Sequence, residues 1–205
     1  MEKSQKQPNK IVVCTLLIGA SITIFLVIIL MLFNPFSYLN TGGEDGILGG
    51  EFTLTGIDGD VSLSDFKGKV VMLYFGFVQC SEVCPTSMRV MAQTFAMLDD
   101  EEISQVQVVL ISIDVEEDSF AEVDEYAKRF HQNFIGLTGT IEQIDQVIAE
   151  YGAYYNKTEL AQTDKTHAFR HSSRYFFVNK QGDLIAAMRH SSTANELHAR
   201  LLTLI

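Results

Sequence analysis

Residues 70–85 read Val70-Val-Met-Leu-Tyr-Phe-Gly-Phe-Val-Gln-Cys80-Ser-Glu-Val-Cys84-Pro85. The first eight form an unbroken apolar run of strand length, the pattern of a strand buried on both faces of a parallel sheet. The run ends at a pair of cysteines, and from Cys84 to Leu98 the apolar residues Met88, Met91, Phe95 and Met97-Leu98 fall at helical spacing. Pro85 suits the start of that helix, where a missing N–H costs nothing. In open α/β sheets, sites form outside the carboxyl ends of strands. Two sulfurs spaced i, i+4 at a helix start lie on one face if that turn is helical, and unpaired N–H groups there favour thiolate. Such a pair either binds a soft metal or shuttles a disulfide. A purely structural disulfide across so short a loop contributes little chain entropy.

Reading outward gives an α/β domain with a central mixed sheet. Phe52-Thr-Leu-Thr and Val61-Ser-Leu flank Asp58-Gly59, a hairpin signal. Val106–Ile113 is a second buried strand. Ser119–Phe130 is an amphipathic helix with Phe120, Val123, Tyr126 and Phe130 on its apolar face and Asp118 or Ser119 as its cap. Phe134–Leu137 is a short strand. Thr140 caps a helix running to Tyr151, with Ile141, Ile144, Val147 and Ile148 inward. Strands at Arg174–Val178 and Leu184–Met188 flank the turn Asn179-Lys-Gln-Gly-Asp, and Thr193–Leu204 is a closing helix. The order β-α-β-α-β-β-α behind an N-terminal hairpin is similar to the thioredoxin-like arrangement.

The composition of the 205-residue chain is 47% hydrophobic, yet its net charge is −11. The two facts belong to different segments. Residues 11–33 carry no charge and at ~1.5 Å per residue reach about 34 Å, enough for a bilayer core of roughly 30 Å. The run is longer than the apolar part of a cleaved signal and is followed by Asn34-Pro35-Phe36, so an uncleaved transmembrane anchor is expected. Lys3, Lys6 and Lys10 in the tail 1–10 stay cytoplasmic by the positive-inside rule, which puts the rest on the periplasmic or outer side of the plasma membrane. Residues 34–50, with five of the fourteen glycines, read as a linker, and 51–205 as the globular domain. With the tail and anchor at +2, the remainder carries −13, which excludes a basic nucleic-acid binder. Cys14 is a small apolar membrane residue, leaving Cys80 and Cys84 as the only cysteines of the domain.

The histidines decide between the two uses of the pair. The stretch His167-Ala-Phe-Arg-His171-Ser-Ser precedes the strand expected to face the cysteines, where redox thioredoxins carry a cis-proline that is missing here. An imidazole from His171 makes a Cys₂His set that suits copper(I) or zinc, and three ligands match trigonal copper better than closed four-coordinate zinc. His167 is the alternative ligand or an outer group. His131 reads as a partner of a helix C-terminus, and His190 and His198 as surface residues.

The stretch Phe75-Gly-Phe-Val-Gln-Cys80-Ser-Glu-Val-Cys84-Pro85 resembles the signature FGFTHCPDVCP of the Sco/SenC copper chaperones. Leu48–Leu54, Asp65–Val71, Ile111–Asp114 and Phe134–Gly139 resemble further segments of that family, and the likeness covers about residue 48 to the end. The resemblance implies a thioredoxin-like fold and Cys80, Cys84 and His171 as copper ligands. It also implies a membrane-anchored metallochaperone, rather than an enzyme, that serves the binuclear copper centre of cytochrome c oxidase subunit II. Some members act as thiol reductants, so a thiol-disulfide oxidoreductase using Cys80 and Cys84 without His171 is the alternative. The departures surround the ligands: Val78-Gln79 replaces Thr-His, Ser81-Glu82 replaces Pro-Asp, Arg170 replaces Asp, and Asp114-Val-Glu-Glu-Asp118 replaces Asp-Pro-x-Arg-Asp. His167, Asp114 and Arg170 are accordingly the candidate groups behind the ligands, where changes tune affinity and potential. Arg170 either lowers thiol pKa and favours redox work or is a solvent-facing charge. A binding module without site chemistry is the third reading, its acidic surface steering a basic partner.

Overall fold

The computed structural model describes residues 48–159 and 167–205. The tail, the expected anchor at 11–33 and the linker up to residue 47 lie outside the described residues. Among the described residues, no helix is long and apolar enough to cross a membrane.

The apolar run becomes β3 (Val70–Gly76), every residue of which is buried, after the hairpin β1 (Thr53–Gly56) and β2 (Gly59–Ser62). β4 (Val106–Ser112) and β5 (Phe134–Leu137) lie parallel to β3 in the order β5-β4-β3, and β8 (Arg174–Val178) and β9 (Leu184–Arg189) continue the sheet antiparallel. The centre of this five-stranded mixed sheet is sealed by aromatic side chains: Phe75 meets Phe176 edge-on at 5.4 Å, and Phe95 meets Phe134 at 4.9 Å. Edge-to-face pairs of this kind add about 1 kcal/mol each beyond the area they bury.

The helices are α1 (Val83–Phe95), α2 (Asp100–Ser104), α3 (Phe120–Lys128), α4 (Ile141–Glu150) and α5 (Ala194–Leu202). α2 to α5 each begin with a reciprocal capping box; in α3, Ser119 accepts from the Glu122 N–H while the Glu122 carboxylate accepts from the Ser119 N–H. Each such cap satisfies two orphan donors. Val123, Tyr126, Ile144, Val147 and Ile148 are buried as expected, but Phe120, Ile141 and Met97 are exposed. Phe120 and Ile141 are the first residues of their helices, where the chain has not yet turned its stripe onto the sheet. Met97 lies beyond the end of α1.

One hairpin was not apparent from the sequence. β6 (Tyr155–Glu159) pairs antiparallel with β7 (His167–His171) as a separate two-stranded sheet. Its sequences, YNKTE and HAFRH, carry no apolar alternation. The hairpin matters because β7 ends on His171, and Ser172 and Ser173 then turn the chain into β8 beside β3.

Candidate metal centre

The two cysteines converge by a different route from a shared helical turn. α1 begins at Val83, so Cys80 precedes it in a turn closed by the Cys80 N–H on the Phe77 carbonyl (3.3 Å). The turn folds back over the helix N-terminus, and the Cys80 sulfur accepts the Cys84 N–H at 3.3 Å. α1 lacks a side-chain cap from Glu82, so the sulfur takes over one of the helix's unpaired donors.

His171 completes the cluster from the far side of β3. Its Nε2 lies 3.7 Å from the buried Cys84 Sγ, and the ligand atoms of Cys80, Cys84 and His171 all lie within 4.8 Å of one another. The imidazole is wedged edge-on between Tyr74 (ring centres 6.3 Å apart) and Phe77 (6.0 Å). A trigonal site with metal–sulfur near 2.3 Å and metal–nitrogen near 2.0 Å has a sulfur–nitrogen edge of about 3.7 Å, a spacing that Cys84 and His171 already have. Among the described residues, the buried His171 Nδ1 has no hydrogen-bond partner. Metal-bound imidazoles usually donate from their second nitrogen, so this ring is held by its aromatic walls instead.

Protonation divides the sulfurs. The Cys80 thiol is held down at about 4, first by the Cys84 side chain donating to it, then by His171 and the backbone N–H groups of Cys84 and Glu82. Cys84 is pushed far up, because it keeps the shared proton beside Cys80 and is buried. A thiolate therefore sits at the half-exposed position, with the proton on the inner sulfur. An ordinary thiol's alkylation rate rises about tenfold per pH unit below its pKa near 8.5. Iodoacetamide labelling of Cys80 in the reduced apo-protein, followed by peptide mass spectrometry, should instead be nearly flat from about pH 6 to 8. A tenfold rise per unit would contradict the assignment.

A residue expected only as a possible cap turns out to support the cysteine turn. Asp118 is buried, and its Oδ2 accepts the Val78 N–H at 2.8 Å and the Ser112 hydroxyl at 2.6 Å. Burial pushes its carboxyl up, and these two bonds oppose the shift. Asp118→Ala strands one buried and one partly buried donor and should cost about 2 kcal/mol in urea unfolding. If the turn positions the thiolates, it should also weaken metal binding about tenfold. Asp118→Asn keeps an acceptor and should rescue most of both. Unchanged stability and metal binding in the alanine variant would refute the role.

The other expected neighbours are placed differently. Asp114 is buried, with its backbone N–H on the Ser112 Oγ (3.1 Å) and its carbonyl accepting from Glu117 and Asp118; it shapes the same loop. Arg170 is exposed and, one residue before His171 in β7, faces away from the imidazole; it is not among the groups that lower Cys80. The His167 backbone pairs with Glu159 in the hairpin, and its side chain lies outside the described residues. His131 is not a charged helix-end partner: it packs against Phe95 (5.1 Å) and Phe134 (5.3 Å), and burial lowers its pKa, favouring the neutral ring.

A sequence profile of the SCO1/SenC family matches residues 40–205. The chain belongs to the SCO1/SenC family. A SCO2-like protein of Rickettsia conorii is 31% identical over 189 residues, covering 91% of this chain and 92% of that protein. Among solved structures of Sco proteins, apo Sco1 from Thermus thermophilus is 31% identical, with a TM-score of 0.72 over 80% of this chain and 94% of its own. Copper-bound ScoI from Bradyrhizobium japonicum is 27% identical, with a TM-score of 0.69 over 77% of this chain and 99% of its own. These likenesses establish the thioredoxin-like α/β frame. This SCO1/SenC chain departs from a redox thioredoxin where β7 meets β8: β7 ends on His171, Ser172 and Ser173 form the turn, and no peptide bond among the described residues is cis.

Proposed function

We propose that the protein is a membrane-anchored copper metallochaperone that binds one copper(I) through Cys80, Cys84 and His171. In this reading it delivers the ion to the binuclear copper site of cytochrome c oxidase subunit II, or prepares that site. The observation that carries the reading is the approach of two sulfurs and one imidazole nitrogen to within 4.8 Å of one another. Soft thiolates with imidazole select copper(I) over hard cations. Family membership and the copper-bound relative support the same cargo. The three side chains hold the ion; Tyr74 and Phe77 keep the imidazole turned toward the sulfurs. Release to an acceptor passes through the half-exposed Cys80 side. The apolar, uncharged stretch 11–33 supplies the anchor, 34–50 the tether and 51–205 the copper domain, held on the outer face of the plasma membrane.

The experiment is an anaerobic copper(I) titration of the reduced full chain in neutral detergent against a chromogenic chelator. One equivalent should bind tightly. Binding that needs neither cysteine would refute the reading.

The split protonation of the cysteines favours a second activity at the same site, thiol-disulfide exchange. The Cys80 thiolate attacks a partner disulfide, forming a mixed disulfide and releasing one partner thiolate, which takes up a proton. Cys84 then loses its proton and attacks the Cys80 sulfur, releasing the second partner thiol. The partner gains two electrons and the Cys80–Cys84 disulfide is left. This activity should survive His171→Ala, whereas trigonal copper binding should not.

A further inference from the structure

On a protein of net charge −11, the wall beside His171 is basic. Arg174 and Arg189 are direct cross-strand partners of β8 and β9, so their side chains leave the same face of the sheet. Like charges placed directly opposite destabilise a strand pair. Both are exposed, and neither has a carboxylate within ion-pair distance among the described residues. Three other bases are ion-paired, Lys128 with Asp124 (2.6 Å), Arg129 with Glu125 (2.7 Å) and Lys157 with Glu116, and what sets Arg174 and Arg189 apart is their direct cross-strand pairing.

The two arginines border a cleft of about 460 Å³ that also includes Tyr154, His171, Ser173 and His190, and among the described residues no acidic one lines it. Tyr154 is 61% exposed, the most open of the large apolar and aromatic side chains among the described residues. Tyrosine and arginine are the residue types that interfaces select, whereas lysine is depleted there. The cleft therefore combines an unneutralised pair of guanidinium groups, an open aromatic ring and a wall shared with the proposed metal ligand.

We propose that this cleft docks an acidic segment of the protein that exchanges copper with the Cys80–Cys84–His171 site. The proposal rests on the copper reading and adds the chemistry of the partner: carboxylates beside its own metal ligands. A carboxylate lying between Arg174 and Arg189 relieves their mutual repulsion and brings the partner to the edge of His171. The net negative charge of the chain disfavours acidic surfaces in general, so a wall with two adjacent guanidinium groups and no described carboxylate favours one orientation of such a partner.

The test uses the apo full chain in nanodiscs of phosphatidylcholine and a fluorescein-labelled peptide of alternating glutamate and serine, with its glutamine counterpart. Binding is read by fluorescence anisotropy at low salt, and copper(I) affinity is read separately by chelator competition. The glutamate peptide should bind at least about tenfold more tightly than the glutamine peptide. The Arg174→Gln/Arg189→Gln double variant should lose about tenfold in glutamate-peptide affinity and keep its copper(I) affinity. Arg129→Gln, on the paired side of α3, should leave peptide binding unchanged. Equal binding of the two peptides, or equal loss in Arg129→Gln, would overturn the proposal. So would abolition of peptide binding when phosphatidylglycerol is mixed into the nanodisc, which would assign the arginines to the lipid surface. A chain that binds the glutamate peptide but no copper(I) would overturn the copper reading and leave the acidic-segment cleft standing.

Discussion

Cys84→Ala is expected to lower copper(I) affinity by more than about a hundredfold, beyond the 10- to 100-fold loss typical when only an outer group is changed. Cys84 is the buried member of the cluster, its sulfur within 3.7 Å of His171 Nε2 and its backbone N–H on Cys80 Sγ. Its removal takes away one donor and the proton partner that depresses Cys80, so the remaining thiol also loses its main support as a thiolate. Cys80→Ala should cost a similar amount through loss of a donor alone. The two differ in alkylation: the Cys84 variant should label at Cys80 with a rate that climbs with pH between 6 and 8, because its pKa returns toward the ordinary thiol value near 8.5. Chelator competition and peptide-resolved labelling separate these effects. Wild-type affinity in Cys84→Ala would remove that sulfur from the ligand set.

The largest effect on folding is expected away from the site, at Gly136 in β5. A Cβ there would meet the backbone carbon and oxygen of Val123 at 2.3 Å and the Asp124 nitrogen at 2.5 Å. α3 therefore lies directly on the strand, and the Gly136 N–H reaches the buried Asp124 Oδ1 at 3.4 Å. A helix backbone has no rotamer with which to yield. Gly136→Ala should push α3 outward and cost about 3 kcal/mol or more, a fall in Tm of about 10 °C for a domain of this size. Phe120→Ala, at the exposed start of α3, should change stability by no more than about 0.5 kcal/mol. Equal melting of the two variants would mean that helix and strand are not in contact.

The central sheet was the most legible part of the chain. β3 and β4 are buried along nearly their whole length, so their continuous apolar runs announce both strand type and position. The amphipathic helices were legible in register but not at their first residues, as Phe120 and Ile141 illustrate. α2 had a local signal in Asp99 and Glu102, which form its capping box, but its five residues are too few for a periodicity. The pairing of β6 with β7 left no trace in local pattern.

At the site, the spacing of Cys80 and Cys84 and the following helix were visible, whereas the turn that brings Cys80 back over the helix start was not. His171 could be singled out only by strand order and family resemblance. Its 3.7 Å approach to Cys84 depends on the hairpin that delivers it and on the rings of Tyr74 and Phe77. Asp118 escaped because its bond to Val78 spans 40 residues and depends on the parallel pairing of β3 with β4. Helical or strand periodicity carries no information about a contact of that range.

The third ligand is where the copper reading is most exposed, because the two cysteines alone serve thiol exchange equally well. The decisive measurement is the anaerobic copper(I) affinity of the reduced full chain and of its His171→Ala variant, by competition against the same chelator. One tightly held copper(I) per chain, weakened by more than about a hundredfold in the variant, is the predicted result. Equal affinities would contradict the three-ligand centre and leave Cys80 and Cys84 as a redox pair.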